Sequence, residues 1–495
     1  MHLTNDGKIY AYILLASVFF SLFALTFGFF PHLALSLSFI FFTLIAYHVK
    51  GEKTATTKTF LTITLILSAF LFIRSEMFVT LLNIFAIFYF GILMLLADDD
   101  NLFTSLVSVA SSPFAFLAQS IFTKSKYHLE YADAGSKNAK KEKYIYIVTT
   151  VLLTLLVLSI IIPLLAWANP IFEKLVITIL DFFGLRDIKI SESLFQRLIR
   201  VIFFLVLIIL VPKMATQVNK KTDYPNLPTP DVNMLFPKIA VTCVLIVFFI
   251  TQLQLYFSTG ETLKNLGYTL SQYAREVFAQ LSTVAVVIVA LLFNDKGKKD
   301  IDKAFTYALL LAGLFLTLMS YKSVYDYSHA WGFTYKRLYG FTVATWILGI
   351  FILYFYTYKK ALKTNFFVYS SIILTGLVLI AVNLANFDYL IYHFKKSATG
   401  SGIDYIYLTS LSSDSLSYKD QVDKLINISK STPLISHTPD NNPHVNTLLR
   451  KIDFLQLKYK KFDFRGFNLL EYLSYRQIKD VDTGLAREQI LISNP

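Results

Sequence analysis

Apolar runs of about twenty residues recur along this chain with only short polar breaks between them, and that is the length an α-helix needs to cross hydrocarbon. Such runs lie near 9–29, 31–48, 59–74, 77–97, 145–168, 196–212, 238–258, 277–293, 304–321, 338–357 and 366–387. A soluble fold has nothing to cover that much apolar surface, whereas a bilayer covers it. Of the 495 residues, 55% are hydrophobic and 16% charged, and the mean hydropathy is +0.55. The predicted fold is all-α: a polytopic transmembrane bundle of about eleven spans with a small helical C-terminal extracytoplasmic domain. The division expected is 1–144 (N-terminal membrane helices and a basic cytoplasmic loop), 145–387 (core bundle) and 388–495 (tail).

Two apolar stretches do not read as spans. Residues 102–121 carry Ser105, Ser108, Ser111, Ser112 and a central Pro113, which suits an interfacial or re-entrant segment. Residues 170–183 read as a short amphipathic helix with Asn169 as cap, Pro170 in the first turn and Gly184 at its end. Ile171, Phe172, Leu175, Val176, Ile179 and Phe183 form its apolar face.

The formal charge of +13 does not point to nucleic acid, because the basic residues sit in the short loops between apolar runs. With the N-terminus inside, every cytoplasmic loop bears Lys, and the longest, from Lys124 to Lys143, holds six. The expected topology is N-in, C-out, in a bacterial plasma membrane, with the lipid bilayer as partner and an envelope protein as a further candidate. The first apolar run has no small-residue cleavage site and is expected to stay as a helix. The sole cysteine, Cys243, lies inside an apolar run, so no intramolecular disulfide forms. No His pair at ligand spacing, phosphate-binding glycine loop or Gly-x-Ser-x-Gly elbow occurs, so no metal, cofactor or catalytic residue is expected.

Polar residues gather instead at the expected outer ends of the later helices. Gln272, Glu276, Gln280 and Thr283 share one helix face, with Arg275 beside it. The next outer loop supplies Asp326 and Arg337, and the last span ends in Asn383 and Asp388. Polar groups at membrane depth face protein or water, so this set is either a ligand site or helix-to-helix bonding, and the second reading is preferred. In the tail, Asp404, Tyr405, Tyr407, Leu408, Leu411, Asp414 and Leu416 read as one amphipathic helix within 403–428, with further helices near 444–460 and 467–479. Asn468 is placed to cap the last of these, and Arg465 to pair with an acid of the tail. Asp404, Asp414, Arg465 and Asn468 are expected to be structural.

Several of these segments resemble a bacterial multi-pass membrane family catalogued only as a domain of unknown function, the four-one-five-three and four-one-seven-three group. The likeness rests first on Tyr273-Ala274-Arg275 with Phe278 and Gln280-Leu281, and on Gly332-Phe333-Thr334 with Arg337. Asn383 with Asp388 and Ile391-Tyr392 continue it, as do Asp404-Tyr405, Tyr407-Leu408, Leu411-Ser412 and Asp414. It ends with Asp463-Phe464-Arg465 and Phe467-Asn468-Leu469. It covers about 140–475. Phe464 departs from the family's tryptophan, and Ser415-Leu416-Ser417 from a small–aliphatic–proline run. The resemblance implies an integral membrane protein with an extracytoplasmic C-terminal part and supplies no reaction. A non-enzymatic envelope component, with a sensor-like, assembly or carrier role, is the first reading. An outer-face lipid-linked glycosyltransferase is the second, disfavoured because the turn at Phe29–His32 has no carboxylate. A secondary transporter is the third, disfavoured because the spans lack buried charge near their midplanes.

Overall fold

The computed structural model describes residues 31–50, 53–96, 137–182, 235–256, 270–293, 300–362, 364–396, 405–431 and 443–491. Among them every regular element is helical. Six helices are long and apolar enough to cross a membrane: Ala55–Ile73, Met77–Leu95, Leu235–Gln252, Asp300–His329, Tyr335–Lys359 and Phe366–Ala385. Three more of the expected spans fall on helices with shorter apolar parts, Leu33–His48, Val157–Ala168 and Phe278–Val289. The expected spans at 9–29 and 196–212, and the segment 102–121, lie outside the described residues.

The chain forms two compact units. The first comprises Met1–Leu102, Asp326–Trp346 and Thr364–Pro495; the second comprises Phe103–Tyr325 and Ile347–Lys363. In the first, α1 (Leu33–Val49), α2 (Ala55–Ile73) and α3 (Met77–Leu96) form a mutually packed trio. Their starts are set by side chains that take up free amide N–H groups. His32 Nδ1 accepts from Leu35 N, Thr54 Oγ1 from Thr57 N, and the Glu76 carboxylate from Phe78 N and Val79 N. One face of α2 alternates large and small residues: Thr57, Phe60, Thr64, Leu67, Ser68 and Leu71 are all buried. Its hydroxyls are satisfied inside the bundle, as in Thr64 Oγ1 to Phe60 O and Ser36 Oγ to Ser68 O, both 2.7 Å. Helix α10 (Thr364–Ala385) joins this trio at Gly376, where a Cβ would come within 2.9 Å of Ile63.

In the second unit, α4 (Lys137–Ala168), α6 (Leu235–Tyr256) and α7 (Leu270–Phe293) pack together. The short helix read at 170–183 is present as α5 (Pro170–Phe182). Asn169 Oδ1 accepts from Ile171 N (2.8 Å) and Phe172 N (3.2 Å), and its Nδ2 donates to Gln252 of α6 (2.9 Å). Phe172 is buried while Ile179 and Phe182 are exposed, an apolar face that lipid would cover. Helices α8 (Asp300–Trp331) and α9 (Tyr335–Lys359) run through both units. At the start of α6, the fully buried Lys238 ammonium meets Asp302 at 2.7 Å and Thr306 at 2.9 Å. At Gly313 the Phe351 ring lies directly on bare backbone, so that a Cβ would fall 2.2 Å from it. Gly313→Ala should therefore cost about 1–3 kcal/mol by overpacking. A lowered melting temperature in detergent would show this, and an unchanged one would refute the close contact.

The tail continues through α11 (Phe387–His393), α12 (Tyr405–Thr409), a 3₁₀ turn (Ser413–Ser415), α13 (Tyr418–Ser431) and α14 (Pro443–Lys460). A second 3₁₀ turn (Phe464–Gly466), α15 (Leu469–Ile478) and α16 (Thr483–Leu491) complete it. Its own core includes Tyr418, Val422, Leu448, Leu449, Ile452, Leu455 and Ile478. The single helix expected over 403–428 is broken. Leu416 is left-handed, with φ 51°, and the serines before it bond to backbone instead of leaving it to the helix. Ser410 Oγ donates to Tyr407 O, Ser415 Oγ to Ser412 O, and Ser412 Oγ accepts from Asp414 N.

Candidate functional site

The first unit carries a buried polar cluster where the α2–α3 connection meets the tail. Arg74, Ser75 and Glu76 are the three residues between α2 and α3. Arg74, only 3% exposed, places Nε 2.9 Å from Oδ2 of Asp414, which is fully buried. The pair is close but out of line for a hydrogen bond. Asp414 completes its shell through the α2–α3 connection, accepting from Ser75 N (2.7 Å), the Ser75 hydroxyl and the Glu76 backbone N–H. These contacts join residues more than 300 positions apart.

Asp388 sits beside this pair. It is fully buried in the first turn of α11, accepting from the Tyr335 hydroxyl on Oδ1 and from the Ser412 hydroxyl on Oδ2. Asn386 positions it. This residue adopts the left-handed region at φ 44°, which asparagine tolerates, caps α11 through Tyr389 N, and donates from Nδ2 to Asp414 O at 2.9 Å. The Tyr407 hydroxyl accepts from Tyr335 N at 3.1 Å.

Three carboxylates, Glu76, Asp388 and Asp414, thus share the single Arg74 guanidinium. Burial is the main force on all three and pushes each above the ordinary carboxylate range, because a charged form loses its water. For Asp388, burial and then the neighbouring Asp414 charge raise the pKa to about 7, opposed by the Ser412 hydrogen bond. For Asp414, Arg74 is the largest opposing influence, followed by the Ser75 bonds. This arrangement binds the tail to the helix ends.

A second tie lies alongside. Asn468 caps α15 through Glu471 N (3.1 Å), and its Nδ2 donates to Arg74 O (2.8 Å) and Pro31 O (3.3 Å). Leu33 N, at the start of α1, donates to Phe467 O at 2.7 Å. Lys451 Nζ donates to the carbonyls of Thr409, Ser410 and Leu411, closing the C-terminal end of α12.

The residues singled out from sequence distribute as follows. Asp388 and Asp414 meet at the cluster. Asn383 pairs with Asn83 through two reciprocal amide bonds of 2.8 Å between α3 and α10. Arg337 donates to Trp331 O and Gly332 O at the end of α8, with its guanidinium 3.9 Å over the Tyr327 ring. Asp326 is exposed. Gln280 is half-buried, and its side-chain oxygen has no hydrogen-bond partner among the described residues. The side chains of Gln272, Arg275 and Glu276, and the whole of Asp404, lie outside the described residues. Arg465 pairs with Asp463, two residues before it, at 2.7 Å. Among the described residues no group of three or more His, Cys, Asp or Glu side chains is placed to hold a metal.

Sequence reasoning did not single out Arg74, Ser75, Glu76, Asn83, Tyr335 or Ser412. Arg74 left one signal: a cation at the outer end of the expected span 59–74, against the positive-inside tendency.

Residues 60–422 match the family described as Domain of unknown function (DUF4153). The chain belongs to this family. The matched region starts earlier than the resemblance traced from residue motifs, and it ends before Asp463–Leu469. It contains every carboxylate of the cluster together with Arg74. No curated protein and no solved structure matches the chain at a significant level. The family description names no activity, so the chemistry must be read from the cluster itself.

Proposed function

We propose that this DUF4153 protein is a non-enzymatic component of the cell envelope, sensor-like in its workings. In this reading about eleven spans cross the plasma membrane, the N-terminus is cytoplasmic, and the part after Asp388 is an extracytoplasmic domain seated on the helix ends. The observation that carries the reading is the buried Arg74–Asp414–Asp388 cluster, which fastens the tail to two inter-helix connections and in which burial raises the Asp388 pKa to about 7. A joint of this kind converts a change outside the membrane into a change in tail docking.

The contacts also support the span order. Segments that touch share one side of the membrane, so an even number of crossings separates Glu76 from Asp388. The expected order supplies eight between them; counting 102–121 as a further span would make the number odd. Alkaline phosphatase fused after Asp388 should be active, and fused after Lys299 inactive. The reverse pattern would overturn the topology.

A further inference from the structure

The tail presents one exposed aromatic edge. Among its described residues the large exposed hydrophobics are Tyr389, Phe394, Phe454, Leu457, Phe462, Phe464 and Leu485, and the four from Phe454 to Phe464 fall within eleven consecutive positions. These four are 55–62% exposed. Phe454 and Leu457 are three apart on α14, on the face opposite the buried Leu448, Ile452, Leu455 and Tyr459. Phe462 and Phe464 follow in the turn after that helix.

Hydrogen bonds tie this edge to the ends of the apolar helices at both limits. Lys451 holds the carbonyls of residues 409–411, immediately before Ser412, whose hydroxyl is 3.4 Å from that of Ser75 at the end of α2. Tyr459 donates to Asn468 O (2.9 Å), and Asn468 reaches Pro31 and Arg74; Phe467 O receives Leu33 N of α1. The turn at Phe464–Gly466 packs against α1. The segment from Lys451 to Phe467 is therefore held at the ends of α1 and α2. Arg450, Lys460 and Lys461 are exposed on the same stretch, and none forms an ion pair among the described residues.

We infer that the Phe454–Phe464 edge inserts into the headgroup–acyl boundary of the leaflet beside it and that Arg450, Lys460 and Lys461 engage anionic lipid. Phenyl rings gain by leaving water at this boundary, while cations at the same depth gain from headgroup charge. The inference rests on the helices being spans and on the tail lying at their ends, not on which side of the membrane that is.

The test uses the full chain with Cys243→Ser and single cysteines at Phe454, Leu457, Phe464 and Glu488, each carrying a nitroxide. Glu488 is the exposed control on α16, and a fifth site at Phe85, 72% exposed in mid-α3, reports the bilayer itself. Samples are nanodiscs of phosphatidylcholine alone or with phosphatidylglycerol. Collision with oxygen should exceed collision with a water-soluble nickel chelate at 454, 457 and 464, with the order reversed at 488. Phosphatidylglycerol should deepen the first three. Nickel access at 454, 457 and 464 equal to that at 488 would overturn the inference, as would burial from both reagents, which would mean that protein covers the edge. A water-exposed signal at Phe85 would instead refute the reading of α3 as a span.

Discussion

Asp414→Ala should release the tail from the helix ends. The substitution leaves the Arg74 guanidinium, 3% exposed, without its carboxylate, and removes the acceptor of two Ser75 bonds. An unpaired buried charge of this kind costs about 3–5 kcal/mol. The fraction of molecules with an open tail should rise about 100-fold or more, read as the rate of protease cleavage after residue 431 in nanodiscs. Arg74→Leu combined with Asp414→Leu should recover much of the loss, because no buried guanidinium is then left without its nearest carboxylate. Cleavage of Asp414→Ala at the parent rate would show that the pair does not hold the tail.

Tail docking should weaken as pH rises from 5 to 8. In the docked state burial and the Asp414 charge hold Asp388 at about 7, above the ordinary aspartate value of 3.8 that an undocked tail would approach. Between those values the docked state binds more protons, so its stability falls with rising pH and levels off above about 7. The span of the shift corresponds to something on the order of 4 kcal/mol. Asp414 and Glu76 are also raised by burial and act in the same direction, and Arg74 opposes them. Lys451 faces Asp388 from α14 and is itself lowered by burial, while the Tyr335 hydroxyl and Tyr418 complete the titratable surroundings. Asp388→Asn should flatten most of this dependence while keeping the Tyr335 contact. Protease sensitivity that fell with rising pH, or an unchanged slope in Asp388→Asn, would contradict the assignment.

Sequence periodicity carried the membrane helices and even the short α5, because a span's length, Asn169 as cap and an amphipathic stripe are local properties. It also marked Asn383, Asp388, Asp414 and Asn468 as polar groups in demanding places. Their partners were not legible. Asn83 lies 300 positions from Asn383, and Ser75 339 positions from Asp414, separations at which no pattern of spacing speaks. The Asp404–Leu416 segment misled for a different reason. Its apolar spacing is helical, but Ser410, Ser412 and Ser415 make backbone bonds that break the helix and turn Asp414 inward. Arg465 pairs with Asp463, an acid of the tail in the same turn, and Asn468 makes long-range bonds to Pro31 and Arg74.

The most direct test of the docked tail is a disulfide between its 3₁₀ turn and the α2–α3 connection. The Ser75 and Ser412 hydroxyls are 3.4 Å apart, near enough for Ser75→Cys and Ser412→Cys to bond once Cys243 is replaced by serine. In native membranes under mild oxidant, cleaved at a protease site introduced after Lys396 and resolved without reductant, the paired variant should run as one covalently joined species that reductant separates. Each single variant should fall into two fragments. If the paired variant separates as readily as the single ones, the tail does not rest on the α2–α3 connection and the cluster is not a joint.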